Sequence, residues 1–142
     1  MEHNISRKNR RLGVLLNYMA LILVVVIFEI IKYDMGLSNW IGLSLIGVFL
    51  IVLIVSFTYT FGITGLWKLT HKKTKNLDER EIQVVTNSVK ISYSVFTILV
   101  IVVIYLFAVF GMGPFDVVIA AMLLYLAHIL PTSILAWTEK EV

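Results

Sequence analysis

The sequence predicts an all-α integral membrane protein, a four-helix up-and-down bundle whose third helix extends into the cytoplasm. Three observations carry this expectation. Of the 142 residues, 59% are hydrophobic and 15% charged, more apolar surface than a water-soluble domain of this length can bury. The apolar residues gather into four stretches, roughly 12–31, 40–67, 89–110 and 115–136, each long enough to cross about 30 Å of hydrocarbon as a helix. Lys and Arg fall mainly in the arm before the first stretch and in the loop between the second and third.

The first stretch follows SRKNRRLG and so has the outline of a signal peptide. Its apolar core exceeds the roughly 7–15 residues of a signal h-region, and FEIIKYDMGLSN after it has no small-x-small cleavage pattern. It is read as a retained helix behind a basic arm of residues 1–11. The four-helix domain then covers 12–137, with a loop at 68–88, and a tail covers 138–142. Span two, from Trp40 to Trp67, carries Gly42, Gly47, Gly62 and Gly65, small residues that let a neighbouring helix approach. Trp40 marks its outer edge; Trp67 and Trp137 mark the inner one, where indole rings sit among headgroups.

The basic loop Thr70–Asn76 leads into the charged stretch TKNLDEREIQ. Asn76 is expected to cap the third helix, with Glu79 reaching back in a capping box. Asp78, Glu79 and Glu81 would complement the positive end of the helix dipole. From Leu77 no Pro or Gly intervenes before Gly111, so this helix should run about 34 residues, or on the order of 50 Å. Its first turns should project beyond the bilayer with Leu77, Ile82, Val85 and Val89 as an apolar stripe. GMGPFD reads as a tight turn in which Pro114 starts helix four and Asp116 lies in its first turn. Pro131 should bend that helix and free a carbonyl near Ala127 for Thr132, Ser133 or a neighbouring helix to satisfy. The Val/Ile-rich runs LILVVVIF and ILVIVVIY would suit strands in water, but an open sheet edge in lipid is unsatisfied, and helices are expected.

Charge sets orientation. The arm carries Arg7, Lys8, Arg10 and Arg11, the central loop region carries Lys68, Lys72, Lys73, Lys75, Arg80 and Lys90, and the tail adds Lys140. The bias of basic residues toward the cytoplasm places both termini and the central loop on that side. Basic clusters beside the spans also imply contact with anionic lipid. A nucleic-acid footprint would need more mass outside the bilayer, and nucleic acid is not an expected partner.

Candidate polar residues within the spans are Glu29, His128, Asn17, Tyr59 and Tyr93. Glu29 has three readings: a carboxylate paired with Lys32 or snorkelling beside Tyr33 and Asp34, an inward-facing ion or proton site, or a helix contact in an oligomer. His128 suits a proton relay or a metal or haem ligand only with a second ligand in register. The alternative is a hydrogen bond across helices to Asn17, Tyr59, Tyr93, Ser94 or Thr97. Asp78, Glu79, Arg80 and Glu81 form a candidate partner-binding box. The acidic groups of DERE are adjacent in sequence and diverge around a helix, so they do not by themselves make a metal site. With no cysteine, disulfides and thiolate-ligated clusters are excluded. No motif for a hydrolase elbow, phosphate loop or zinc helix is present, and no cofactor or metal is expected.

The layout of four helices with a basic central loop ending in Asp78-Glu79-Arg80-Glu81 resembles small integral membrane proteins of bacteria and archaea grouped as a domain of unknown function. That resemblance implies a prokaryotic plasma-membrane protein and no activity. The expected function is that of an accessory, regulatory or assembly partner of another membrane component. The alternative is a small oligomeric transporter or channel with a path lined by Glu29, Tyr59, Tyr105 or His128. A lipid-directed enzyme would need the acidic box and His128 in one cavity.

Overall fold

A computed structural model describes residues 5–111 and 116–139. The fold is all-α, with five helices among the described residues: α1 (Arg7–Lys32), α2 (Asn39–Phe57), α3 (Leu66–His71), α4 (Glu79–Phe110) and α5 (Val117–Thr138). A π-turn at Thr58–Gly62 extends α2, and a 3-10 turn at Thr74–Asn76 precedes α4. Four segments, Arg7–Lys32, Asn39–Gly62, Glu79–Phe110 and Val117–Thr138, are long and apolar enough to cross a membrane, consistent with a multi-pass membrane protein. The chain falls into two compact units, one running to Gly65 and one spanning Leu66–Glu139.

In the first unit α1 begins at Arg7, so residues expected in a basic arm form its first turns. Arg and Lys are good helix formers, and Ser6 supplies a cap whose hydroxyl accepts from the Asn9 amide at 3.4 Å. Gly13, Val14, Asn17, Ala20, Leu21, Val24 and Ile27 are buried along α1, spaced at the three- and four-residue steps of one helix face. After Lys32 the chain turns through Asp34 and Gly36, both at positive φ (50° and 82°), and returns as α2. Near this turn the two helices meet closely at Gly42, where a Cβ would lie 2.6 Å from Ile31 Cγ1 and 3.2 Å from Leu37 Cδ2. Gly47 and Gly62, expected to admit a neighbour as Gly42 does, meet nothing beyond their own helix.

Span two is not one helix to Trp67. The Ile63 amide donates to the Thr58 carbonyl at 2.9 Å, a five-residue step that widens the helix. Gly65 then adopts φ 74°, a backbone that ends a helix and suits glycine. Threonine hydroxyls favour the change by back-bonding, Thr58 to the Ile54 carbonyl at 2.9 Å and Thr64 to the Thr60 carbonyl at 2.6 Å. Trp67 therefore belongs to the separate helix α3, where its ring stacks on His71 with centroids 3.9 Å apart.

In the second unit α3 packs on α5 and α4, and α4 and α5 form a hairpin. The α4 helix has 32 residues, roughly 48 Å at 1.5 Å per residue and more than one hydrocarbon thickness. It ends at Gly111, which is left-handed (φ 60°) and donates its amide to the Phe107 carbonyl. Pro114 lies outside the described residues. Asp116 caps α5 instead of lying in its first turn, its Oδ1 accepting from the Ile119 amide at 3.0 Å. The α5 helix continues through Pro131 to Thr138. Ser133 donates to the Ile129 carbonyl at 2.9 Å, and Thr132 turns to Thr70 on α3, 3.0 Å away.

Two of the four apolar segments are nearly uncovered. None of the most apolar window of α4 is buried, and only 11% of that of α2. Continuous apolar surface of this extent requires a non-aqueous surrounding or another protein.

Candidate functional site

The polar groups of the first unit form a seam between α1 and the α2 end. Asn17 is fully buried, one of the side chains on the packed face of α1. Its Nδ2 donates to the Leu53 carbonyl at 3.1 Å and to Ser56 Oγ at 3.0 Å, and Ser56 Oγ donates to the same Leu53 carbonyl at 3.0 Å. Two donors thus converge on one helical carbonyl, a cross-helix tie of the kind that fixes rotation and register in an apolar surround. One turn before Asn17, Gly13 lies directly against Thr60 Oγ1. Thr60 is fully buried in the π-turn, and its hydroxyl has no hydrogen-bond partner among the described residues. Sequence reasoning missed Gly13, Ser56 and Thr60. The available signal was a glycine one turn from the only asparagine in span one, since a mid-helix glycine is costly unless something packs there.

Tyr59, in the π-turn, is half-exposed. Glu29, near the end of α1, pairs with Lys32 at 3.6 Å, and neither carboxylate oxygen has a hydrogen-bond partner among the described residues. In the second unit Tyr93 is 74% exposed. His128 is exposed as well, and its Nδ1 lies 2.9 Å from the Leu124 carbonyl of its own helix. Ser94 and Thr97 do the same, donating to the Lys90 and Tyr93 carbonyls. In each case the partner is a carbonyl one turn back on the same helix.

The acidic box has a structural task. Asp78 caps α4: its Oδ1 accepts from the Glu81 amide at 2.7 Å while Glu81 Oε2 accepts from the Asp78 amide at 3.2 Å, a complete capping box. Lys72 joins it, 3.2 Å from Glu81. The cap thus lies two residues beyond the expected Asn76, whose own amide closes the 3-10 turn onto the Lys73 carbonyl at 2.9 Å. Both N-L-D-E and D-E-R-E satisfy the spacing rule. Once the 3-10 turn takes up Asn76, only Asp78 is placed to cap. Of the box, Glu79 and Arg80 are exposed and uncommitted among the described residues. Asp78→Ala should therefore cost about 0.5–2 kcal/mol in α4, with faster amide exchange over residues 79–83. Asn76→Ala should leave that exchange nearly unchanged, and the opposite ranking would contradict the cap.

A small hydroxyl cluster that sequence reasoning missed ties α3 down. Thr70 Oγ1 lies 3.0 Å from both His71 Nδ1 and Thr132 Oγ1, and Thr132 is fully buried. No group of three or more His, Asp or Glu side chains suited to a metal occurs among the described residues. No protein-family model, curated protein or solved structure matches the chain. Of the DERE box on which, with the four-helix layout, the resemblance rests, Asp78 and Glu81 form the cap of α4.

Proposed function

We propose that the protein crosses a lipid bilayer four times in up-and-down order, with both termini and the loop 68–88 cytoplasmic, and acts by binding another membrane component. One observation carries this reading. The α4 helix is longer than one crossing, and its most apolar window is uncovered. Its N-terminal turns would then stand outside the hydrocarbon, offering Glu79 and Arg80 beside the partly covered Ile82 and Val85. A helix with an apolar stripe and an exposed charge pair is the equipment of a docking element, the charges giving orientation and the apolar residues affinity. A small oligomeric transporter or channel is the second reading, and Glu29 favours it, because its buried carboxylate oxygens have no hydrogen-bond partner among the described residues and pair with Lys32 at 3.6 Å.

The two readings separate when the tagged chain is isolated from its native membrane in mild detergent. A defined heteromeric complex is expected, depleted by the double reversal Glu79→Lys, Arg80→Glu while helicity is unchanged. Isolation of a homo-oligomer alone, giving cation or proton flux in liposomes that Glu29→Gln abolishes, would overturn the binding reading.

A further inference from the structure

The exposed polar residues of α4 recur at a fixed step. Glu79-Arg80, Thr86-Asn87 and Tyr93-Ser94 are polar pairs spaced seven residues apart, with Gln83, Lys90 and Thr97 set between and after them. Positions 79, 83, 86, 90, 93 and 97, alternating steps of four and three, trace the core of a two-stranded coiled coil. Glu79, Thr86 and Tyr93 fall at d, Gln83, Lys90 and Thr97 at a, and Arg80, Asn87 and Ser94 at e. All nine are exposed. The buried residues of α4, Ser88 and Ser92, lie on the other side of the helix, at f and c. The polar stripe runs roughly 27 Å, from the capped end into the segment apolar enough to cross a membrane. Ser94 and Thr97 donate only to carbonyls of their own helix. The side chains of the other seven have no hydrogen bond or ion pair among the described residues.

We propose that this stripe pairs α4 with α4 of a second copy of the chain, in parallel and about a two-fold axis. The pairing rests on the reading that α4 crosses a bilayer, because charge bias then gives every copy the same orientation and two copies meet in parallel. Complementarity selects the occupant. In a parallel two-stranded pair each d side chain packs beside the d and e positions of its neighbour. Glu79 therefore meets Arg80 of the second copy, and the two-fold axis repeats the ion pair in reverse. Thr86 meets Asn87, a hydroxyl against an amide. Tyr93 meets Ser94, whose oxygen is open to accept because its own proton goes to the Lys90 carbonyl at 3.3 Å. A match that returns at every seven-residue step is what pairing with itself requires, whereas a foreign helix would need no such internal agreement. Lipid suits the stripe poorly, since acyl chains offer its polar groups nothing to bond. Beyond Thr97 the same register continues through Val100, Ile104 and Phe107, apolar side chains that pack as ordinary knobs. Lys90 brings like charges to the axis, a charged a position of the kind that fixes register and strand number at a cost in stability. Val85 falls at c, outside the seam, and stays open to a further partner.

The chain has no cysteine, so single introduced cysteines report the pair in membranes under mild oxidation. Thr86→Cys and Tyr93→Cys should give disulfide-linked dimers, because core positions bring identical residues within reach of each other. Ile91→Cys and Val95→Cys, also exposed but at b and f, should stay monomeric. Charge reads the register independently. Self-association of the full chain in nonionic detergent, followed by energy transfer between labelled copies, should weaken about five-fold in Glu79→Lys and return to within about two-fold when Arg80→Glu is added, since the exchanged pair is again complementary. The same double reversal is expected to deplete a heteromeric complex, so self-pairing and partner binding fail separately. Equal cross-linking at all four positions, none at any of them, or no rescue of Glu79→Lys by Arg80→Glu would overturn the proposal. The first two outcomes would leave the stripe to a foreign helix or to lipid. A chain that stays folded and soluble without detergent would instead bring down the bilayer reading, and the parallel pair with it.

Discussion

Gly13→Ala is expected to destabilise the α1–α2 unit by about 1–3 kcal/mol, a large effect for one methyl group. The added Cβ would fall on Thr60 Oγ1, with Thr60 Cβ only 3.1 Å and Cγ2 3.3 Å away. Rotating the threonine does not solve the problem, because both branches and the Cβ itself are close. Either α1 moves away from the π-turn or the π-turn shifts. Thr60→Ala removes the nearest atoms and should restore most of the stability of Gly13→Ala, giving a strongly non-additive pair. Alone, Thr60→Ala should be nearly neutral, since the hydroxyl it removes is buried without a hydrogen-bond partner among the described residues. Thermal unfolding in detergent, followed by circular dichroism, measures all three. Additive losses would mean that Gly13 does not seat the π-turn.

Asn17→Ala is expected to cost about 1–3 kcal/mol, for a different reason. It deletes both bonds from Nδ2, to the Leu53 carbonyl and Ser56 Oγ, at a position with no access to water. Ser56→Ala should cost less, because Asn17 would keep its bond to the Leu53 carbonyl. The double variant should fall short of the sum by about 0.5–1.5 kcal/mol, as expected of residues in one network within an apolar surround. Asn17→Leu restores the volume without the donor, so what it fails to recover is the hydrogen-bond part of the loss. If Asn17→Leu matches the wild type in the same unfolding assay, the seam is packing alone.

Helical class and the number of candidate spans were legible because both depend on long-range averages of hydropathy, and 18-residue windows tolerate local irregularity. The bounds of α4 and α5 were close to expectation for the same reason, and because Gly111 and Asp116 are local signals that act through one or two bonds. Local signals became ambiguous where two of them competed. Asn76 and Asp78 both stand three residues before a glutamate, and the spacing rule alone cannot rank them. Glycine was ambiguous in another way. Of the four glycines noted in span two, Gly42 admits a neighbour, Gly47 and Gly62 do not, and Gly65 ends the segment through its backbone. Gly13, which carries the closest approach in the hairpin, lies at the start of the first span beside the basic arm and drew no attention.

By itself the sequence determined an all-α chain with four helices long and apolar enough for a membrane, a basic start to the first, and a third that outruns one crossing. These follow from composition and period, which the backbone must obey whatever it packs against. Tertiary structure alone decided that Asn17 ties α1 to the end of α2, that span two widens into a π-turn, and that Gly13 lies against Thr60. Each of these depends on which atoms meet across the α1–α2 hairpin or within one turn of a helix. A hydroxyl or imidazole takes the nearest acceptor that geometry leaves it, and a glycine becomes a seat or a break according to what lies opposite.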